Sequence, residues 1–118
     1  MSPLMKARRK MPDQPSELTV EFIRRSVGLG AYELSLHADD ERLADELTIG
    51  DLEVVLKAAE LLEDYPDDPR GHSCLVLGHA GGQPVHVVCG MTRQHMLFII
   101  TVYRPRMPKW LDERTRNR

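Results

Sequence analysis

The sequence predicts an α+β domain in which N-terminal helices pack on an antiparallel sheet of three to four strands. The first part of the chain carries apolar residues at helical spacing, together with polar start signals and glycine or proline stop signals. After Gly71 the apolar residues form short β-branched segments that glycine-containing turns separate. Consecutive strands joined by short turns form an antiparallel meander, and helices on one face complete the α+β architecture.

Length and composition indicate one domain without a membrane span. The 118 residues suffice for a single core, and we expect a flexible basic arm over residues 1–15, a domain over 16–106 and a basic tail over 107–118, with a short turn at 109–111. No apolar run approaches the roughly 20 residues that span a bilayer, and the basic start lacks the apolar stretch of a secretory signal. We therefore expect a cytoplasmic protein with no membrane contact and reduced cysteines.

The first two helices are predicted from their polar start signals. Ser16 begins the first helix, which ends at glycine near residue 28. Residues 31–34 form a brief extended piece. Ser35 then caps a second helix, whose first turn is acidic and therefore interacts favourably with the positive end of the helix dipole.

A third helix has the clearest sequence signals. Thr48 and Asp51 have the spacing of a capping box, in which a hydroxyl and a carboxylate three residues apart satisfy backbone N–H groups. Apolar residues then recur at helical spacing up to Leu62, and Pro66 ends the segment. The pattern predicts one continuous helix from residue 49 to the loop at Pro66.

Three strands follow the change of period at Gly71. Their β-branched and apolar content predicts a meander, with a glycine-rich hairpin turn at 79–83 and a second turn at 90–95. The predicted strands are residues 73–77, 84–89 and 97–103.

A histidine stands in the middle of the valine-rich second strand. Because side chains alternate between the faces of a strand, His86 shares a face with Val88. In the last strand, Thr101 and Tyr103 share a face with Ile99. If the strands pair, an imidazole, a hydroxyl and a phenol gather on one face, which suggests general acid–base chemistry. The alternative is a structural histidine whose hydrogen bonds are satisfied internally.

Other candidate site residues lie at element ends. His37 is in the first turn of the second helix, where the dipole favours a neutral imidazole that suits a general base. Arg104 and Arg106 follow Tyr103 and are candidate RNA phosphate ligands, as is Arg42 on the second helix. The plainer interpretation is a backbone-bonded histidine, a salt-bridged Arg42 and an ordinary basic tail.

Charge is segregated along the chain although the net charge is only −2. Residues 39–68 contain twelve acidic residues against two basic ones, whereas residues 69–118 contain eight basic residues against two acidic ones. A basic surface raises the local concentration of polyanions. The alternative is that these charges only keep the surface soluble.

The two cysteines and two nearby histidines raise the possibility of a zinc site, but their positions on the strands disfavour it. His72, Cys74, His86 and Cys89 are zinc-compatible ligand types. However, Cys89 points to the face opposite His86, so the four side chains cannot converge without a bulge. Both thiols lie among apolar strand residues, where burial raises the pKa and leaves a thiol inert. We expect neither a metal nor a cofactor.

The residues from 32 to 105 resemble the bacterial and archaeal family catalogued as domain of unknown function 4258. The resemblance covers nearly two thirds of the chain, in order. The matching segments are SLHA at 35–38, TIGD at 48–51, EDYPDD at 63–68, SCLVLG at 73–78, PVHVV at 84–88 and ITVY at 100–103.

That family is similar in element order to toxins of toxin–antitoxin pairs of the RelE, BrnT and MqsR types. The resemblance implies a metal-independent endoribonuclease in which a ribose 2′-hydroxyl attacks the adjacent phosphate. His37 and His86 match the family's histidines, and Thr101 and Tyr103 match its terminal strand motif. It implies RNA, either free or ribosome-bound, and a co-encoded antitoxin as partners, and a homodimer is a further expectation. The acidic residues at 39–68 depart from the strongly basic toxins.

A non-catalytic interaction module is the alternative function. Such a module would present an exposed apolar patch, for instance around Trp110, and no polar cluster in a cleft. The nuclease hypothesis instead requires His37 and His86 to project into one cleft that solvent can reach.

Overall fold

The computed structural model describes residues 18–118, in which three helices pack on one face of a five-stranded sheet. The predicted arm at 1–15 and the predicted helix start at Ser16 lie outside the described residues. None of the three helices, each nine residues long, has the length and apolar character that a membrane span requires. The elements are α1 (Val20–Gly28), β1 (Tyr32–Leu34), α2 (Leu36–Ala44), α3 (Ile49–Lys57), β2 (Glu60–Tyr65), β3 (Ser73–Ala80), β4 (Gln83–Met91) and β5 (Leu97–Tyr103).

The sheet is mixed, with the strand order β1-β5-β4-β3-β2. β1 runs parallel to β5, and the other three neighbouring pairs are antiparallel. The α+β class is confirmed, but the predicted sheet of three to four antiparallel strands is wrong in strand number and in the parallel edge. The meander accounts for β3, β4 and β5, and the two additional strands lie one at each edge.

The predicted caps of α2 and α3 are confirmed, whereas the predicted end of α3 is wrong. Ser35 Oγ accepts from the backbone N–H of Ala38, and Thr48 and Asp51 form both bonds of a capping box. α3 ends at Lys57. The apolar residues that continue the helical spacing beyond α3 belong to β2 instead. In that segment, backbone pairing with β3 outweighs the local helical spacing.

The hairpin between β3 and β4 closes through two glycines. Gly81 and Gly82 have φ values of +59° and +78°. A two-residue turn with both φ values positive matches the twist of antiparallel strands, and glycine adopts it without strain. Both strands extend further than predicted, up to this turn, whereas β5 has the predicted bounds.

A bulge in β5 decides which residues face the helices. Val88 pairs with Thr101 while Cys89 pairs with Ile99, so Ile100 is an extra residue on β5. Ile99 consequently points into the core, whereas Thr101 and Tyr103 lie on the opposite face, which the helices leave open. The prediction that Thr101 and Tyr103 share a face with Ile99 is therefore wrong, because strict alternation does not survive a bulge.

β5 extends beyond the end of its pairing with β1, and α2 covers this part of its outer edge. The N-cap and two carboxylates of this helix bond to backbone groups of β5 and of Arg104 just after it. These bonds are Ser35 N to Ile99 O at 3.0 Å, Ser35 Oγ to Ile100 O at 2.9 Å, Val102 N to Glu41 Oε1 at 2.9 Å and Arg104 N to Asp45 Oδ2 at 3.0 Å.

Residues 107–118, named here the C-terminal strap, fold against the open face of the sheet. Trp110 is only 2 % exposed and packs edge-on against His86, with the ring centroids 4.4 Å apart. Arg114 and Arg116 form ion pairs with Glu60 and Glu63 on β2. The basic residues of the predicted tail thus fasten the strap to the acidic edge strand.

We predict that Glu41→Ala lowers the free energy of unfolding by about 1–3 kcal/mol, because the N–H of Val102 loses its acceptor. Glu41→Gln keeps an amide oxygen at the same place and is expected to retain most of the stability. Asp40→Ala, an exposed neighbour on α2, serves as the control and is expected to change stability by less than about 0.5 kcal/mol. Urea unfolding of the three variants measures these values, and equal losses for Glu41→Ala and Asp40→Ala would contradict the assignment.

Candidate functional site

The open face of the sheet contains a cleft of about 500 Å³, named here the open-face cleft. Its floor is apolar, and its rim carries cationic groups, an imidazole, a carboxylate and several hydroxyls. Such a mixture of apolar surface and converging polar groups is typical of a small-ligand or substrate site. The lining residues are Tyr65, Asp68, Arg70, Gly71, His72, Ser73, Leu75, Val88, Gly90, Met91, Phe98, Ile100, Thr101, Tyr103, Lys109 and Arg116.

His72 is the imidazole of this cleft and is paired with a carboxylate. It precedes β3, and its Nε2 lies 2.6 Å from Oδ1 of Asp64 on the neighbouring strand β2. A carboxylate accepts hydrogen bonds, so Nε2 carries a proton and Nδ1 of the neutral ring is left as the acceptor. The side chain of His72 is 20 % exposed. This pair has the composition of a general base with its orienting carboxylate.

The loop before β3 fixes a second carboxylate at the rim of the cleft. The backbone N–H of Arg70, its guanidinium and the hydroxyl of Ser73 all donate to Asp68. These hydrogen bonds, the backbone one foremost, lower the pKa of Asp68 to about 2. Asp68 is therefore an anion at neutral pH, and it offsets part of the charge of Arg70.

His86 lies beneath the strap and is completely buried. Its Nε2 lies 2.7 Å from the backbone oxygen of Glu113, and its Nδ1 lies 3.1 Å from the hydroxyl of Tyr103. Because a carbonyl only accepts, Nε2 holds the proton of the neutral ring and Nδ1 accepts from Tyr103. Burial lowers the pKa of His86, so the neutral form is the stable one.

Tyr103 and Thr101 connect β5 to the cleft. The bulge sets Tyr103 opposite His86 and Thr101 opposite Val88 on β4, and both line the cleft. Burial raises the pKa of the Tyr103 phenol, which therefore stays protonated at neutral pH. The structure thus brings His86 and Tyr103 into contact, and it places Thr101 on the same open face.

His37 lies elsewhere and is outside the cleft lining. Its side chain is 67 % exposed in the first turn of α2, and its Nε2 lies 3.2 Å from Oε2 of Glu41. His86, by contrast, is sealed from solvent. The structure therefore does not bring the two imidazoles into one solvent-reachable cleft, because the strap covers one and the other projects from an exposed helix turn.

The three arginines predicted to bind RNA phosphates all have intramolecular partners. Arg42 bonds to Asp39 and to the backbone oxygen of Leu47, which fastens the chain after α2. The guanidinium of Arg104 donates to the backbone oxygen of Asp45 at the C-terminal end of α2.

Arg106 completes this set through an ion pair with Asp45 at 3.0 Å. Partial burial acts to raise the pKa of Asp45, but hydrogen bonds from Arg106 and from the backbone of Arg104 outweigh it and hold that pKa below its usual range. Asp45 thus stays ionised and binds both arginines beside the end of β5.

The cysteines are not nucleophiles in this fold. Cys74 and Cys89 face each other across β3 and β4 in the core, and both are buried. Burial raises the pKa of Cys74 to about 12 and that of Cys89 well above its usual range. Within residues 18–118 no group of three His, Cys, Asp or Glu side chains is arranged to hold a metal ion.

Sequence reasoning considered His72 only as a zinc ligand type and did not identify Asp64, Tyr65 or Arg70 as site residues. The pairing of His72 with Asp64 depends on β2 lying beside β3. Since the sequence predicts a helix up to Leu62, this neighbour relation was not available from the residue pattern. The usable signal was the cluster of polar residues at 63–73, directly before a buried strand.

Residues 34–104, more than half of the chain, match the family described as Domain of unknown function (DUF4258). The protein belongs to this family. The match runs from the end of β1 to the residue after β5, so it includes the bulge, His72 and His86 but not the strap. No curated protein and no solved structure matched the chain.

We predict that the stability of the protein falls as the pH is lowered from about 7 through 6. The folded state disfavours protonation of His86, whereas the unfolded chain takes up a proton near pH ~6.5. The contribution of neutral His86 to the free energy of unfolding is complete above the unfolded-state pKa. It is lost as the pH falls below that pKa, at a rate of at most about 1.4 kcal/mol per pH unit for one proton. Urea unfolding at pH 7.5, 6.5 and 5.5 measures the slope.

The His86→Gln variant is expected to show a smaller slope between pH 7.5 and 5.5, whatever its absolute stability. His95→Gln, which alters an exposed histidine in the turn before β5, is the matched control and is expected to keep the full slope. A slope that is unchanged in His86→Gln would show that His86 does not control this pH dependence.

Proposed function

We propose that the protein is an endoribonuclease whose active site is the open-face cleft. The observation that carries the proposal is the His72–Asp64 pair, which lies at a cleft that also presents the cationic side chains of Arg70, Lys109 and Arg116. Cleavage of RNA by its own 2′-hydroxyl needs a base, an acid and positive charge near the phosphorane. The cleft offers residue types for each of these roles.

In the proposed reaction His72 Nδ1 removes the proton of a ribose 2′-hydroxyl, while Asp64 holds the ring through Nε2. The 2′-oxygen forms a bond to the adjacent phosphorus, and the bond from phosphorus to the 5′-oxygen breaks. Lys109 lines the cleft and has no carboxylate partner among the described residues, so we assign it the proton for the leaving 5′-oxygen. The products are a 2′,3′-cyclic phosphate and a 5′-hydroxyl.

The sequence-predicted residues have supporting roles in this proposal. Tyr103 donates its hydroxyl hydrogen bond to Nδ1 of His86, which leaves the phenol oxygen free to act as an acceptor. His86 is thus a positioning residue for Tyr103, and Thr101 adds a second hydroxyl to the same wall. His37, which is exposed on α2, has no step in this mechanism.

The biological role in the proposal is that of a toxin in a toxin–antitoxin pair. Its support is the resemblance in element order to the RelE, BrnT and MqsR types, with helices first and a sheet with an open face after them. On this proposal the substrate is RNA, either free or on the ribosome, and a co-encoded antitoxin is the neutralising partner. An antitoxin would act most directly by occupying the open-face cleft.

The non-catalytic alternative receives less support from the geometry. It was expected to present an exposed apolar patch around Trp110 and no polar cluster. Trp110 is buried against His86, and the adjoining face holds the polar cleft. Intact RNA in the experiment below would favour this alternative.

We predict that induced expression of the wild type arrests growth and degrades RNA, and that His72→Gln removes both effects. Loss of a general base lowers the cleavage rate by about 10²- to 10⁴-fold. His95→Gln is the matched control and is expected to cleave RNA like the wild type, since His95 lies outside the cleft lining. RNA integrity on gels and cleavage of an oligoribonucleotide by the purified proteins are the measurements.

Circular dichroism of His72→Gln establishes that any loss is not caused by unfolding. Equal cleavage by the wild type and by folded His72→Gln would reject the assigned base. Undamaged RNA with the wild type, in cells and in the purified assay, would reject the nuclease itself.

A further inference from the structure

A second, smaller cavity of about 200 Å³ lies where the end of β5 meets the strap. It is named here the anion pocket, and it is lined by Tyr103, Arg104, Arg106, Lys109 and Trp110. Three of these five residues are cationic, and among residues 18–118 no carboxylate lines the cavity. Tyr103 and Lys109 also line the open-face cleft, so the two cavities adjoin.

One donor from the lining residues is buried without a partner. Nη1 of Arg104 has no hydrogen-bond acceptor among residues 18–118. Burial raises the pKa of the Tyr103 phenol, whereas the indole N–H of Trp110, which interacts with the hydroxyl of Tyr103, acts to lower that pKa. The other donors of the Arg104 guanidinium, Nε and Nη2, are used by the backbone oxygen of Asp45. Buried polar groups are normally paired, so the unpaired donor of Arg104, together with the cationic lining, makes this cavity a candidate anion site.

The charge around the pocket specifies what kind of acceptor fits. Asp45 is the carboxylate that pairs with this group, through the backbone N–H of Arg104 and the guanidinium of Arg106. The lining carries three cationic side chains, of which Arg106 is already paired with Asp45. Arginine and lysine together favour phosphate, because they combine directed N–H donors with a compact point charge.

We propose that the anion pocket binds a phosphate group. The guanidinium of Arg106 donates to the phosphate oxygens and the ammonium of Lys109 neutralises their charge, and a small side-chain shift brings the buried Nη1 of Arg104 within reach. The Arg106 side chain is 61 % exposed, so it can move from Asp45 to admit the ligand. Since the pocket adjoins the open-face cleft, the ligand is the phosphate of the nucleotide next to the cleaved one, and this second statement rests on the proposed nuclease function.

The phosphate site is tested on the full chain with inorganic phosphate. Trp110 is the only tryptophan of the protein, so its fluorescence reports on the pocket. At constant ionic strength, we expect a saturable fluorescence change and a raised thermal midpoint with phosphate but not with chloride. We expect Arg106→Gln to weaken this binding about tenfold or more, since a hydrogen-bonded charge is lost.

Arg93→Gln is the matched control, because it removes an exposed arginine that lines neither the open-face cleft nor the anion pocket. It is expected to leave phosphate affinity unchanged. No saturable response, an equal response to chloride, or equal effects of the two variants would each overturn the assignment of the phosphate to this pocket.

The RNA part of the proposal is tested separately with a short oligoribonucleotide. Arg106→Gln is expected to raise KM about tenfold with little change in kcat, because the pocket holds substrate and lies outside the reacting atoms. His72→Gln is expected to lose cleavage while keeping its response to inorganic phosphate. Loss of kcat in Arg106→Gln with unchanged KM would reject the substrate role, and a phosphate response without any RNA cleavage would reject the nuclease while leaving the pocket in place.

Discussion

The arrangement of the open face depends on how the outer edge of β5 is held. β1 pairs with β5 only as far as Ile99, and beyond that point an extra residue shifts the side chains to the other face. The backbone groups that follow would have no ladder partner, and α2 supplies Ser35, Glu41 and Asp45 to bond them. Because unpaired buried backbone groups are costly, the bulge and the helix are stable only together. Thr101 and Tyr103 reach the cleft as a consequence.

The strap gives His86 a role that differs from that of an exposed catalytic histidine. Its two ring nitrogens are both occupied, one as a donor to Glu113 and one as an acceptor from Tyr103. The phenol proton is therefore committed to the imidazole, and the Tyr103 oxygen faces its other neighbours as an acceptor. A step in which Tyr103 donates into the cleft would leave Nδ1 of the buried, neutral His86 ring without its hydrogen-bond donor, which is costly. In the proposed nuclease, His72 is therefore the better candidate than the strand histidine for the group that exchanges protons with a substrate.

Local signals in the sequence predicted those elements whose cause is local. Ser35 and Thr48 begin helices because their side chains bond backbone groups three residues away, which sequence spacing reveals directly. The strand at 60–65, the bulge and the strap arise from contacts between distant residues, and no short-range pattern encodes them. The site residues show the same difference between local signals and contacts of distant residues. The approach of Tyr103 to His86 could be anticipated from neighbouring strands, whereas the partner of His72 depended on a strand that resembles a helix in its residue pattern.

The charge segregation of the sequence is largely neutralised within the fold. The acidic edge strand β2 takes up Arg114 and Arg116 through Glu60 and Glu63. Asp45 similarly occupies Arg106 after β5. Among residues 18–118, Lys109 is the cationic side chain that lines both the open-face cleft and the anion pocket. RNA affinity built on so few phosphate contacts would depend weakly on salt, since each contact contributes to the salt dependence separately. Recognition by this protein would thus rely on the two adjoining cavities, and not on a broad basic surface of the kind that strongly basic toxins present.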